Sequence, residues 1–248
     1  MLKFITILYN NENEISDLFS SIKDHFDDFE LIISLNSNSV HQISDERIKY
    51  IGNKKNIGFA NAVNRALYLI SSEDVVCVVN SDVKFKYVDW AKLENLLQKG
   101  NLVGPVCFNK KDERQDTFRR NISLTRIIKR LQKRLLLKNK GSLPFEYSIY
   151  RNIQVDWFIG AVMFINGGSF IELGGFDKHY FMYFEDADFC IRANKLGIKT
   201  FYSESIICEY EADRKSLKFS NLKNFKLFIK HLHSFMLYIV KHPKIFFK

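Results

Sequence analysis

Residues 75–83, Val-Val-Cys-Val-Val-Asn-Ser-Asp-Val, decide how this chain is read. The run Val75–Val79 is short, β-branched and free of polar alternation, as a strand buried on both faces must be. It passes directly into Asn80, Ser81 and Asp82. In open α/β sheets ligands gather at the carboxyl ends of strands, so Asp82 is offered to a site there. A carboxylate in that place suits a hard divalent cation, Mg²⁺ or Mn²⁺, that also binds diphosphate oxygens. Asn-Ser-Asp is equally ordinary turn chemistry, and the tripeptide alone does not separate the two.

Outward from this strand the pattern alternates between strands and helices. Strands are expected at Phe4–Leu8, Leu31–Leu35, Leu102–Phe108, Ala161–Ile165 and Thr200–Tyr202. Helices are expected at Glu14–His25, Ala60–Ile70, Trp90–Gln98 and Glu185–Lys195. That alternation predicts an α/β fold around a mainly parallel sheet. Gly58, just before one helix, lets the backbone approach a neighbour closely.

A second stretch, GGFDKHYFMYFEDADFCIR (Gly174–Arg192), sets Glu185, Asp186 and Asp188 where an aromatic loop gives way to a helix. Gly197 closes that helix as its C′ residue. A carboxylate beside Phe181, Tyr183, Phe184 and Phe189 is desolvated, which raises its pKa toward that of a general base. Acidic residues also favour a helix's first turn for electrostatic reasons alone. Asp188 and Arg192 make an i,i+4 pair, a structural feature first.

Four motifs occur in order: N-I-G-F-A-x-A-x-N (Asn56–Asn64), N-S-D-V (Asn80–Val83), G-A-x-M (Gly160–Met163) and the Gly174–Arg192 stretch. Together they resemble glycosyltransferase family 2, and within it the rhamnosyltransferase-like enzymes of bacterial surface-polysaccharide assembly. The resemblance runs from the first strand to about Ser216 and is poor between about Asn109 and Tyr150. It implies a GT-A fold, a Rossmann-like α/β/α sandwich that binds a nucleoside diphosphate sugar, dTDP- or UDP-linked. By the same resemblance Tyr9, Asn10 and Glu12 lie near the nucleotide base. Asn36 holds a place usual for a nucleoside-contacting aspartate. Asn56, Gly58, Phe59, Asn64 and Asn80 belong to the nucleotide-sugar side, and Asp82 is the metal-contacting aspartate. Asp186 is the catalytic base, with Glu185 its neighbour and alternative. Trp157, Gly160, Ala161, Gly174, Gly175 and Phe176 belong to the sugar and acceptor pocket. The implied chemistry is a single inverting displacement.

Three departures stand out. Asn36 replaces aspartate, which bears on nucleotide choice. Ser81 stands where proline is common and is expected to loosen its turn. Tyr210 takes the place of a histidine, and a phenol with a pKa near 10 is a poorer ligand for a divalent metal.

Charge is unevenly placed. Residues 110–140 hold twelve Lys/Arg against three Asp/Glu, and residues 214–248 hold nine against none. Each segment carries +9 while the whole chain carries +9, so the remainder carries −9. The implied organisation is a catalytic domain over 1–213 with a basic amphipathic tail over 214–248. The domain divides into a nucleotide half (about 1–108), a basic insertion (about 109–150) and an acceptor half (about 151–213). In Ile122–Leu137, Leu124, Ile127, Ile128, Leu131 and Leu135 share one helical face, opposite Arg126, Lys129, Arg130, Lys133 and Arg134. In Asn221–Val240, Leu222, Phe225, Phe228, Leu232, Phe235 and Ile239 recur at helical spacing. Such helices lie on an anionic bilayer or pack on the domain. The first alternative places the protein in the cytoplasm, peripheral on the inner face of the cell membrane, with a lipid-linked saccharide as acceptor. The opening residues do not read as a signal peptide, and no transmembrane segment is evident. Cys77, Cys107, Cys190 and Cys208 suit buried thiols. A nucleic-acid-binding module is disfavoured, because 122–137 lacks interleaved stacking aromatics and the body is acidic. A degenerate protein that binds nucleotide sugars without turnover is the other alternative.

Overall fold

Leu2–Leu8 (β1) carries Phe4 and Leu8 toward one side layer and Ile5 toward the other, the period-two pattern of a strand covered on both faces. The computed structural model describes residues 1–38, 43–53, 55–136, 152–211 and 222–248. After β1 come α1 (Glu12–Lys23), β2 (Phe29–Leu35), β3 (Ile48–Gly52), α2 (Phe59–Asn64), β4 (Val75–Val79) and β5 (Lys84–Val88). Next are α3 (Trp90–Gln98), β6 (Leu102–Phe108), β7 (Phe118–Arg119), α4 (Leu124–Leu136), β8 (Ile153–Gln154), β9 (Trp157–Phe158) and β10 (Val162–Asn166). The chain continues with α5 (Gly167–Glu172), α6 (Glu185–Lys195), β11 (Thr200–Glu209), α7 (Leu222–Lys241) and α8 (Pro243–Phe246).

The main sheet runs β3-β2-β1-β4-β10-β6-β11-β5, with β8 also pairing β11. Because β10 is antiparallel to both β4 and β6, strands β3, β2, β1, β4, β6 and β11 share one direction. The sheet is therefore mainly parallel. Apolar residues of α1 and α3 cover one face, among them Leu18, Ile22, Leu93 and Leu97. The other face is covered by Val63 of α2, Phe170 of α5, Phe189 of α6 and Tyr238 of α7. This is an α/β/α sandwich.

Two elements differ from their expected extents by more than two residues. The helix expected over Ala60–Ile70 stops at Asn64, and Leu67–Leu69 forms a 3-10 turn. The strand expected to end at Tyr202 runs to Glu209, through a register shift between Ser203 and Ile207. The end of α6 matches expectation: Gly197 (φ +82°) donates to Asn194 and Ile198 donates to Ala193, the paired bonds of a Schellman motif. All four cysteines are free and buried.

No helix among the described residues is long and apolar enough to cross a membrane. Within α4, Ile127 packs against the core while Leu124 and Ile128 are exposed, and Arg126 lies 3.8 Å from Asp156. Lys129 is exposed; the side chains of Arg130, Lys133 and Arg134 lie outside the described residues, as do 137–151 and the boundary expected at 213–214.

Candidate active site

β1 lies between β2 and β4, and the chain moves to β2 and β3 on one side before crossing to β4 on the other. The carboxyl ends of β1 and β4 therefore border the point where strand order reverses, the place where open α/β sheets bind ligands. Tyr9 and Asn10 follow β1, Asn36 follows β2, and Asn80–Asp82 follow β4. Tyr9 is exposed, and Asn10, at φ +56°, donates its N–H to Ser37 Oγ at 3.2 Å. Glu12 opens α1. Ser81 does not loosen its turn. It is buried, accepts from Asn11 and donates to Glu14 at 2.6 Å, which fastens the turn to the segment after β1.

Asn36 is buried and organises the glycine loop. Its Oδ1 accepts Ile57 N–H at 2.9 Å and its Nδ2 donates to Asn56 Oδ1 at 3.3 Å. Asn56 Oδ1 in turn accepts Gly58 N–H at 3.0 Å. An aspartate at 36 would oppose Asn56 with an oxygen, so the amide suits this neighbour. The close approach at Gly58 is to protein: at φ +87°, a Cβ there would sit 2.3 Å from Phe181 O, the carbonyl that accepts Phe59 N–H at 2.7 Å. Asn64 grips Phe176, accepting its N–H at 2.9 Å and donating to its carbonyl at 2.6 Å, and α2 ends there. Gly174 and Gly175 (φ +67° each) shape the turn so gripped, and Phe176 is buried against Phe189.

Beside these loops opens a cavity of about 410 Å³. Phe59, Asn80, Trp157, Gly160, Ala161, Glu185, Asp186 and Tyr210 line it, joined by Asp116, Arg119, Ile159, Met182, Tyr183, Phe184 and His231. Asn80 N–H donates to Ala161 O at 2.8 Å, and Trp157 Nε1 donates to Arg120 O at 2.9 Å. Tyr9, Asn10, Glu12, Asn36, Asn56, Gly58, Asn64, Asp82 and Gly174–Phe176 stand outside this wall. Asp82 is exposed on its turn.

The two candidate bases are unlike. Glu185 is buried, and its Oε2 has no hydrogen-bond partner. Burial pushes its pKa well up, and the charges of Asp186 and Asp188 push it further. Asp186 is also raised by burial, but Gly160 N–H (3.0 Å) and Ala187 N–H (2.7 Å) bind its oxygens and Arg119 faces it with positive charge. These contacts favour the anion. Both carboxyls line the cavity, and the contacts on Asp186 make it the one that more readily holds the charge. Tyr183 and Phe184 precede them at φ +73° and +66°. Left-handed backbone at two bulky residues costs about 1–3 kcal/mol each and persists only where the surroundings enforce it.

The enforcing structure is α7. Phe184 packs on Phe235 (5.5 Å between ring centres) and Tyr238 (5.7 Å), and Ser234 Oγ donates to Met182 O at 2.8 Å. Asp188 is buried between Arg192 (2.7 Å) and His242 (2.8 Å), so its role is structural, as its spacing predicts. Asp116, Arg119 and His231 escape sequence reading, because contacts distant in sequence bring them to the cavity that Asp186 lines. One signal was available: His231, Phe235, Tyr238 and His242 share one helical face of α7.

The family model for glycosyl transferase family 2 matches residues 4–158, more than half of the chain. The chain belongs to glycosyltransferase family 2. It is 24% identical to rhamnosyltransferase WbbL of Escherichia coli (strain K12), over 97% of this chain and 93% of that protein. A further relative by sequence is N-acetylglucosaminyl-diphospho-decaprenol L-rhamnosyltransferase of Mycobacterium tuberculosis. There the identity is 39% over 51 residues, 21% of this chain and 17% of that one. Among solved structures, GalNAc-T7 with UDP, GalNAc and Mn²⁺ superposes with a TM-score of 0.60 at 12% identity. The likeness covers 91% of this chain, which spans 47% of GalNAc-T7. The fold of this glycosyltransferase is GT-A.

Among the described residues no three His, Cys, Asp or Glu side chains converge. Tyr210 is hydrogen-bonded to Asn80, and burial and then the charge of Asp82 raise its pKa, which disfavours the phenolate. Asp82 supplies one exposed carboxylate at the strand end. That carboxylate fits one contact to Mg²⁺ or Mn²⁺.

Proposed function

We propose that this protein transfers a sugar, rhamnose first among candidates, from a dTDP- or UDP-sugar to a hydroxyl of a lipid-linked saccharide, with inversion. The observation that carries the reading is the pair at the start of α6: Glu185, whose buried Oε2 has no hydrogen-bond partner, beside Asp186, whose oxygens accept Gly160 N–H and Ala187 N–H in the same cavity. Glu185 is read as the protonated member and Asp186 as the anion. Asp186 takes the acceptor hydroxyl proton as that oxygen attacks the anomeric carbon. The bond from that carbon to the diphosphate oxygen breaks, and the electron pair leaves with the nucleoside diphosphate. A bound Mg²⁺ or Mn²⁺ supplies charge stabilisation for that leaving group. The chain's own part is to seat the diphosphate at the ends of β1 and β4. Trp157, Phe59 and Tyr183 offer aromatic surface to sugar rings.

The lipid-linked acceptor is supported by the name of the decaprenol-dependent relative and by two exposed surfaces. Phe225, Ile229, Leu232, Met236 and Val240 form an exposed apolar stripe along α7, whose opposite face packs on the domain. Leu124 and Ile128 of α4 are exposed beside the basic residues of that helix. An apolar stripe with flanking cations suits the inner, anionic face of a cell membrane.

Purified full-length protein, incubated with dTDP- and UDP-sugars and a short prenyl diphosphate carrying N-acetylglucosamine, should add one sugar, with and without Mn²⁺ compared. Mass spectrometry reads the addition and proton NMR its inverted configuration. Nucleotide-sugar binding without transfer or hydrolysis under any of these conditions would support the degenerate alternative and overturn the proposal.

A further inference from the structure

We infer that His231, reaching the cavity from α7, is an acceptor-positioning residue whose Nε2–H donates a hydrogen bond to the acceptor saccharide. The ring is clamped edge-on between Tyr183 (4.9 Å between ring centres) and Phe184 (5.1 Å), so its orientation is fixed. Its Nδ1 is buried without a hydrogen-bond partner, while the ring lines the cavity. Nε2 is thus the nitrogen left for whatever enters. Placing the proton on Nδ1 would strand a buried N–H, a costlier orphan than a bare lone pair. The tautomer with hydrogen on Nε2 avoids that, and burial, which lowers the pKa, keeps the ring neutral. The result is an oriented donor with no charge, suited to a sugar oxygen rather than a phosphate.

Location separates acceptor from donor. The wall formed by Asn80, Ala161 and Tyr210 sits at the strand ends, where the switch point receives the nucleotide. His231 belongs to the other wall, built by the loop before Glu185 and by a helix beyond the stretch matched by the family model. The same helix turns its apolar stripe outward, so a saccharide whose lipid lies in the bilayer meets α7 first.

This rests on the transferase reading, and the test separates the two. His231→Phe keeps the ring packing and removes the donor. His231→Gln places an amide N–H where Nε2 stood, while His231→Asn places it where Nδ1 stood. With the prenyl diphosphate N-acetylglucosamine acceptor, His231→Phe and His231→Asn should raise acceptor KM about fivefold or more, the loss of one neutral hydrogen bond. His231→Gln should recover most of it. Donor KM, read from sugar transfer to water, should stay within about twofold in all three, and near-UV circular dichroism reports whether each folds. An unchanged acceptor KM in His231→Phe, or equal losses in all three folded variants, overturns the inference and leaves the transferase reading standing. A wild type inert toward every donor overturns both.

Discussion

Asp188 Oδ1 lies 2.8 Å from His242 Nε2, joining the helix of the candidate base to the start of α8. Asp188 Oδ2 lies 2.7 Å from Arg192 Nε, and the same guanidinium donates to the carbonyls of Leu173 and Gly175. One buried carboxylate therefore ties together α6, the Gly174–Gly175 turn and the C-terminal helices. Those helices in turn hold Tyr183 and Phe184 in left-handed backbone.

Removing that carboxylate should loosen the whole unit. Asp188→Ala leaves Arg192 and His242 without their partner, a change that costs about 3–5 kcal/mol at buried pairs. For a chain of this length the melting temperature should fall by roughly 10 °C. His242→Ala should cost less, because the Asp188–Arg192 pair survives it. Differential scanning calorimetry of the three proteins checks the order; a melting temperature unchanged in Asp188→Ala would mean that α7 and α8 are not held through this contact.

Asp82→Ala should weaken nucleoside diphosphate binding in the presence of Mn²⁺ or Mg²⁺ and have little effect in their absence. Isothermal titration with UDP and dTDP, with and without metal, reads the difference. Equal metal-dependent affinity in wild type and variant would remove Asp82 from cation binding.

Much of the fold is legible because its strands are uninterrupted apolar runs. β4, β6, α3 and α6 lie where periodicity and capping put them. β5 is not legible, because KFKYV is an edge strand whose lysines read as loop. Residues 167–172 open on two glycines, which mask α5. The end of α2 is set by the grip of Asn64 on Phe176, a contact that local sequence does not carry. In the site, Asp186 is legible from its motif and its aromatic setting. Arg119 and His231 are not, since only tertiary packing brings β7 and α7 to the same cavity.

On α7, sequence spacing groups Phe225, Leu232, Phe235 and Ile239 on one face, but the structure divides them. Phe235 and Ile239 pack on the core, whereas Phe225 and Leu232 join the exposed stripe. The helix is apolar on both sides. Flotation with anionic vesicles should therefore recover the wild type at low salt and lose it at high salt. Replacing Ile229, Leu232 and Met236 by serine should release the protein. Charge reversal at Arg126, Lys129, Arg130, Lys133 and Arg134 should do so as well, basic residues near an anionic leaflet each contributing up to about 1 kcal/mol. A wild type that ignores anionic vesicles at low salt would rule out membrane attachment.

Turnover of Asp186→Asn and Glu185→Gln, measured beside wild type with the same donor and acceptor, decides whether Asp186 carries the charge and Glu185 the proton. Loss of a general base costs roughly 10²–10⁴-fold, so Asp186→Asn should fall below about a hundredth of wild type while still binding nucleotide. Glu185→Gln, a neutral isostere of a protonated acid, should stay within about fivefold of wild type. Retention of more than about a tenth of wild-type turnover by Asp186→Asn, or collapse of Glu185→Gln instead, would contradict the account.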